Sequence, residues 1–325
     1  MQRRKFIKSA IGGSSVLLLP LNISAGTKKS SQSLKFGICA DVHKDIMHDA
    51  DARLQAFIDE VTHENLDFII QMGDFCRPYD YNQGFMDIWN SFPGKKYHVI
   101  GNHDMDGGFK REQVVDYWKS DGKYYSFDTK GVHCVVLDGN DHDASSDRPG
   151  GYARIIGDEQ LNWLESDLEQ TSLPTLIFCH QGLDNDLGGI YNATKSRLVL
   201  ERANKKAGFQ KVIGVFSGHH HQDYQNTING IHYIQINSMS NQWLGDKYKH
   251  NRYSKEVDEK YPWVKYTAPY KDPLWAIVDI SLNKTLKIEG RKSEFVKPGP
   301  KELGVNKYAF GYENVPVISD RIFKL

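Results

Sequence analysis

Apolar residues along this chain fall into two rhythms. Short continuous runs bounded by charged or turn-forming residues lie at 34–40 (LKFGICA), 66–72 (LDFIIQM), 97–100 (YHVI), 175–179 (TLIFC), 211–216 (KVIGVF), 231–236 and 274–280. Runs of that length ending in turn residues read as buried strands. Between them, Leu54, Phe57, Ile58 and Val61 recur at helical spacing, with Asp49 or Asp51 placed to cap the helix. Leu161, Leu164 and Leu168 mark a second helix, and 198–207 a third. The segments 124–128 (YYSFD) and 132–138 (VHCVVLD) flank Thr129-Lys130-Gly131, the pattern of an antiparallel hairpin at an edge or in a second sheet.

Strands that alternate with helices imply βαβ units, and in such sheets the loops beyond the carboxyl ends of the strands build the site. The stretch 237–271 is rich in Tyr, Trp, Lys and Asn without a steady period and reads as a long decorated loop. No internal repeat or low-complexity linker interrupts the pattern. One domain over 34–325 is the simplest account, with a core at 34–282 and a segment from 283 wrapping its surface.

Composition narrows the class. A chain of 325 residues, 39% hydrophobic and with a mean hydropathy of −0.56, can bury a large core and is too polar for a polytopic membrane protein. Lys plus Arg and Asp plus Glu both number 41, so there is no basic field of the kind nucleic-acid binding requires. The first 25 residues differ from the rest. Arg3-Arg4-Lys5-Phe6-Ile7-Lys8 precedes an uncharged stretch that holds Val16-Leu17-Leu18-Leu19 and reaches the small residue Ala25. This is an export signal resembling the twin-arginine type, whose cargo crosses the membrane folded. Its apolar part is short against the roughly 20 residues a spanning helix needs, so cleavage near Ala25, a polar tether at 26–33, no lasting membrane association and a periplasmic or secreted protein are expected. Cys39, Cys134 and Cys179 lie in strand-like runs and, with Cys76, are expected as buried thiols rather than disulfides.

Five strand ends deliver polar side chains in turn: Asp41-Val42-His43, Gly73-Asp74, Gly101-Asn102-His103-Asp104, His180, and Gly218-His219-His220-His221. Singly each has an ordinary explanation, since Gly-Asp opens turns and a lone histidine is more often structural than a ligand. Together, carboxylate, imidazole and amide groups arriving at one end of a sheet converge on a small volume. Mixed oxygen and nitrogen donors suit manganese, zinc or iron, and one carboxylate, naturally Asp74, is able to bridge two ions about 3.5–4 Å apart. There is no G-x-x-x-x-G-K-[ST] loop, H-E-x-x-H or G-x-S-x-G elbow.

The series D-x-H, G-D, G-N-H-D, lone His and G-H-x-H, over about residues 35–222, resembles the calcineurin-like metallophosphoesterase superfamily, which includes purple acid phosphatases and cyclic nucleotide phosphodiesterases. Gln160-Leu161-Asn162-Trp163-Leu164 is similar to the Q-x-x-W-L helix of its secreted members. The resemblance implies a four-layer αββα sandwich with two mixed β-sheets and a dimetal site at the carboxyl ends of the strands. It places one divalent or mixed-valence ion on Asp41, His43, Asp74 and His221 and the other on Asp74, Asn102, His180 and His219, with His220 structural. It makes His103 the group over the substrate, oriented by Asp104. The implied reaction is hydrolysis of a small phosphate ester, monoesters favoured, by a hydroxide held between the ions. Purple acid phosphatases carry a tyrosine ligand three residues after the Asp of G-D; Arg77 stands there, so a tyrosinate-bound iron is not expected. Arg77 either reaches a substrate phosphate through its forked donors or pairs with a carboxylate. Among the loop residues, His142 is the candidate substrate contact. The aromatic stretch with Trp243, Trp263 and Tyr266 either stacks a base or sugar or covers a sheet edge. Two rival functions stay open: a diesterase or nucleotide pyrophosphohydrolase on the same site, and a metal-binding protein without activity.

Overall fold

Strand β1 (Ser33–Cys39) shows how the apolar runs become strands: Leu34, Phe36 and Ile38 enter one core, while Cys39 enters another on the opposite face. The structure is a computed structural model that describes residues 33–142, 151–184, 187–282, 284–305 and 311–325. The basic start, the apolar stretch and the tether up to residue 32 lie outside the described residues. Among the described residues no helix is long and apolar enough to cross a membrane.

β2 (Phe68–Gln71) repeats the alternation, with Phe68 and Ile70 on the side of Phe36 and Ile69 on the other, and β3 (Lys95–His98) completes a parallel trio. Parallel strands buried on both faces need helices outside them. The helices α1 (Ala50–His63), α2 (Gln83–Asn90) and α3 (Arg111–Trp118) cover this face through Phe57, Phe85, Met86, Val114 and Trp118. Asp49 is the N-cap residue of α1, without a side-chain cap bond.

A second sheet carries the expected hairpin, β4 (Tyr125–Thr129) with β5 (Val132–Leu137), at one edge. It continues through β6 (Thr175–Cys179), β7 (Val212–Ser217), β8 (Gln225–Ile228) and β9 (Ile231–Gln235) in the order β4-β5-β6-β7-β9-β8. From β5 to β9 the neighbours run parallel. Leu161, Leu164 and Leu168 of α4 (Asp158–Gln170) and Val199 and Leu200 of α5 (Ala193–Ala207) cover its outer face.

The two sheets meet through an aromatic cluster. Phe36 stacks on Phe68 at 4.7 Å, and Phe178 and Phe216 meet it edge-on at 5.8 Å from the opposite sheet. Each fully buried phenylalanine contributes about 2–3 kcal/mol. Helices, sheet, sheet, helices: the four-layer αββα sandwich with two mixed sheets is the observed architecture.

Two segments differ from expectation. Residues 237–271 hold an antiparallel ribbon, β10 (Asn241–Trp243) with β11 (Thr267–Pro269), and between its strands the short helix α6 (Lys255–Lys260). The pieces are too short to show a period. The segment from residue 284, expected to wrap the surface, extends the first sheet instead. β12 (Ala276–Ser281) lies antiparallel to β1, and β13 (Thr285–Glu289) and β14 (Arg321–Lys324) follow it in the order β14-β13-β12-β1-β2-β3. Leu286 and Ile288 of β13 belong to the inter-sheet core. The described residues fall in one compact unit, and all four cysteines are buried and unpaired.

Candidate metal centre

The polar residues named from the strand ends come together. Asp41 and His43 follow β1, Asp74 follows β2, Asn102 and His103 follow β3, His180 follows β6, and His219 to His221 follow β7. Asp41, His43, Asp74, His219 and His221 all have left-handed backbone, with φ between 51° and 73°. Such conformations cost non-glycine residues of the order of 1–3 kcal/mol and persist where the surroundings enforce them. Close approach explains the glycines beside them. A Cβ on Gly73 would lie 2.6 Å from the Gly101 nitrogen, and one on Gly101 2.2 Å from the Asp74 nitrogen.

Two triads result. Ligand atoms of Asp41, His43 and His221 lie within 4.8 Å of one another, as do those of Asp74, His180 and His219. Asp74 stands between them, its Oδ2 at 3.2 Å from His180 Nε2 and 3.8 Å from His43 Nε2. In their neutral forms two histidine rings turn an Nε2 lone pair into the cluster. His180 Nδ1 donates to the Met72 carbonyl at 2.7 Å and His221 Nδ1 to the Asn241 carbonyl at 2.7 Å, which leaves both Nε2 atoms unprotonated in the neutral rings. His221 Nε2 then faces His43 Nε2 at 3.0 Å, while His180 Nε2 and Asn102 Oδ1 are buried without a hydrogen-bond partner. Such a donor set fits metal cations. The charge around His180 favours a cation: burial opposes its protonation, yet the Asp74 and Asp41 carboxylates outweigh burial and hold its pKa up at about 9. Burial opposes ionisation of Asp74, yet its histidine neighbours, His180 first, hold it well below the usual carboxylate range.

His103 lies beside this cluster, but Asp104 does not orient it. The Asp104 carboxylate accepts the backbone N–H groups of Asp74 (2.9 Å), Phe75 (2.7 Å) and Gly101 (2.8 Å), tying the loop after β2 to the loop after β3. Asp106, which sequence reasoning passed over, takes the expected place: its Oδ2 accepts from His103 Nδ1 at 2.7 Å. Burial lowers the His103 pKa, and Asp74 and Asp106 outweigh it to raise the group above its ordinary value. Arg77 Nη2 donates to the same carboxylate at 3.1 Å and the Tyr152 hydroxyl at 3.0 Å. Spacing alone, three residues after His103, was the one signal for Asp106; Tyr152 had none.

These groups line one cavity of about 590 Å³, with His43, Asp74, Arg77, Asn102, His103 and Asp106 on its wall and Tyr152, Trp243 and Trp263 around it. His220 also lines it, although its Nδ1 meets the Tyr224 hydroxyl at 2.8 Å; burial pushes its pKa down to about 3. His142 lines a neighbouring cavity of about 380 Å³, which shares Asn102, Asp106 and Tyr152 with the first.

Known proteins share the fold. A dimetal phosphatase from Danio rerio has a similar fold, with a TM-score of 0.59 and 15% identity over 81% of this chain and 98% of that one. GAP50, the anchor in the inner membrane complex of Plasmodium, is similar with a TM-score of 0.52 and 15% identity over 82% of this chain and 86% of that one. No curated protein sequence matches the chain significantly. The family model for the calcineurin-like phosphoesterases, however, matches residues 34–223, a span that runs from β1 through all five strand ends to the last histidine of the cluster, and the chain therefore belongs to that family.

Proposed function

We propose that this metallophosphoesterase hydrolyses phosphate monoesters outside the cytoplasm, with two metal ions of the manganese, zinc or iron class. One observation carries the reading: two triads of ligand atoms, all from buried residues except the half-buried His219, gather beside the cavity that also holds His103 and Asn102. Asp41, His43 and His221 would hold one ion, His180, His219 and Asn102 the other, and Asp74 both. Two such ions supply Lewis acidity to the phosphoryl oxygens and a nucleophile generated from water at neutral pH.

The chain's own residues do the rest. His103, held through Nδ1 by Asp106, donates a proton to the leaving oxygen. Arg77 lines the same cavity, its Nη2 on Asp106, and the forked donors of its guanidinium suit one more non-bridging oxygen than two ions engage. A monoester has three such oxygens and a diester two, which favours the monoester. The decisive experiment adds manganese, zinc or iron back to chelated protein and compares p-nitrophenyl phosphate with its bis ester. We expect about tenfold or higher kcat/KM for the monoester, with Asn102→Ala losing activity together with bound metal measured by mass spectrometry. Faster turnover of the diester reverses the substrate assignment, and a native chain that retains no metal overturns the reading.

Export rests on Arg3-Arg4 and the apolar stretch behind them. Four buried, unpaired thiols agree with a chain folded in a reducing compartment before it crosses the membrane. Replacing both arginines by lysine would hold the protein in the cytoplasmic fraction; an unchanged distribution would refute twin-arginine export.

A further inference from the structure

We infer that Trp243 and Trp263, joined by Tyr266 packed between them, form a stacking wall for a flat ring on the substrate's leaving group, so that the ester taken is that of a nucleoside or a comparable aromatic alcohol. The inference rests on the hydrolase reading above and specifies its substrate.

The wall begins at His103. Its ring centroid lies 6.1 Å from that of Trp243, which lies 6.4 Å from Tyr266 at an interplanar angle of 24°, and Tyr266 lies 5.5 Å from Trp263 at 39°. An organic group attached to the oxygen that His103 protonates therefore leaves along Trp243 toward Trp263. Both tryptophans line the cavity of the metal ligands, and Trp263 is still 52% exposed. Rings that served only to cover a sheet edge would be buried against it.

The support behind the wall is rigid. Trp243 ends β10 and pairs with Thr267 of β11, directly after Tyr266. The Leu244 and Gly245 N–H groups both donate to the Tyr266 carbonyl, the Tyr266 N–H donates to the Trp263 carbonyl, and Val264 is buried between the two rings in sequence. Arg252 pins the ribbon to the C-terminal segment by donating to the carbonyls of Thr267 and Pro298. The same strand β10 supplies the Asn241 carbonyl that fixes His221, so one element places both a metal ligand and the first ring. Pre-positioned aromatic faces bind flat groups with little ordering cost, and 590 Å³ lies within the range of cavities that hold ligands of nucleotide size.

Adenosine 5′-monophosphate and ribose 5-phosphate share the same scissile bond and differ by the base alone. With the metal-loaded full chain, KM for ribose 5-phosphate is expected to exceed that for adenosine 5′-monophosphate by about tenfold or more, the usual scale of base stacking on an aromatic side chain. That ratio falls toward one in Trp263→Ala and recovers in Trp263→Phe, which keeps a ring. Independently of turnover, saturation-transfer NMR on the zinc-loaded chain with adenosine should show transfer to the adenine protons, lost in Trp263→Ala. A ratio near one in the native chain, or no transfer to the adenine protons, overturns the wall. If neither ester nor p-nitrophenyl phosphate is cleaved, the hydrolase reading fails, and the adenosine spectrum alone decides whether the wall binds a base.

Discussion

At the scale of single residues, two aspartates two positions apart do opposite work. Asp106 holds the Nδ1 of His103 at 2.7 Å, whereas the Asp104 carboxylate collects three backbone N–H groups at 2.7–2.9 Å. Asp106→Asn should therefore lower kcat and leave metal content unchanged. A general acid is worth about 10²–10⁴-fold, and losing its orientation should remove about 10- to 100-fold of that with ribose 5-phosphate, whose alkoxide leaves poorly. With p-nitrophenyl phosphate, whose leaving group departs without a proton, the loss should be much smaller; equal losses on both esters would show that Asp106 does not act through the acid. Asp104→Asn turns an acceptor into an N–H donor that faces other donors, at a cost of about 1–3 kcal/mol. Its signature is a lower urea midpoint and weaker metal retention, and a variant as stable as the native chain would contradict that role. That the residues of the two triads converge was legible in the sequence because each follows an apolar run directly and the strand fixes where it points. Asp106 was not, because its role depends on Arg77 and Tyr152, which arrive from other loops.

At the scale of elements, His133 joins three of them. It sits on β5, its Nδ1 meets Asp128 of β4 at 2.6 Å and its Nε2 meets Asp167 of α4 at 2.8 Å. Burial lowers its pKa, and the two carboxylates, Asp167 first, outweigh burial and raise it above the ordinary value. A raised folded-state pKa stabilises the protein fully below the unfolded value of about 6.5, and that contribution disappears as pH climbs through the folded value. The stability gap between the native chain and His133→Gln, from urea unfolding at a series of pH values above 5, should thus be widest near pH 5.5 and narrow toward alkaline pH. A gap that widens instead would mean that the imidazole is held neutral. Legibility at this scale followed burial. Strands such as β2 and β6, buried on both faces, announce themselves as apolar runs. The edge strands β8 (QNTI) and β14 (RIFK) alternate between exposed and half-buried positions over four residues, too few to separate from loop. α2 and α3 have eight residues each, about two turns, over which a helical period repeats only twice.

At the scale of the whole molecule, the site is where the two sheets are joined by polar contacts. Asp41, His43, Asp74 and Asn102 extend from the first sheet, and His180, His219 and His221 from the second. The His219 N–H donates to the Asp41 carboxylate at 3.0 Å, His180 donates to the Met72 carbonyl, and Ser238 and Ser240 hydroxyls donate to the carbonyls of Asp41 and Val42. Two ions shared between ligands of both sheets would add to that join and neutralise the Asp41 and Asp74 carboxylates, both nearly inaccessible to water. Binding to the folded chain alone at a hundredfold excess over Kd contributes about 2.7 kcal/mol per ion, and in a protein of this size each kcal/mol moves the thermal midpoint by about 2–4 °C. Metal saturation of chelated protein should thus raise the midpoint by at least about 5 °C. The increment should be roughly halved in His219→Ala, which removes a ligand of one ion, and abolished in Asp74→Asn, which removes the carboxylate between both triads. Mass-spectrometric metal content should step down in parallel, from two ions to one to none. If Asp74→Asn kept one ion and half of the increment, that carboxylate would serve a single metal, and the two ions would be held by the sheets independently rather than as a bridged pair.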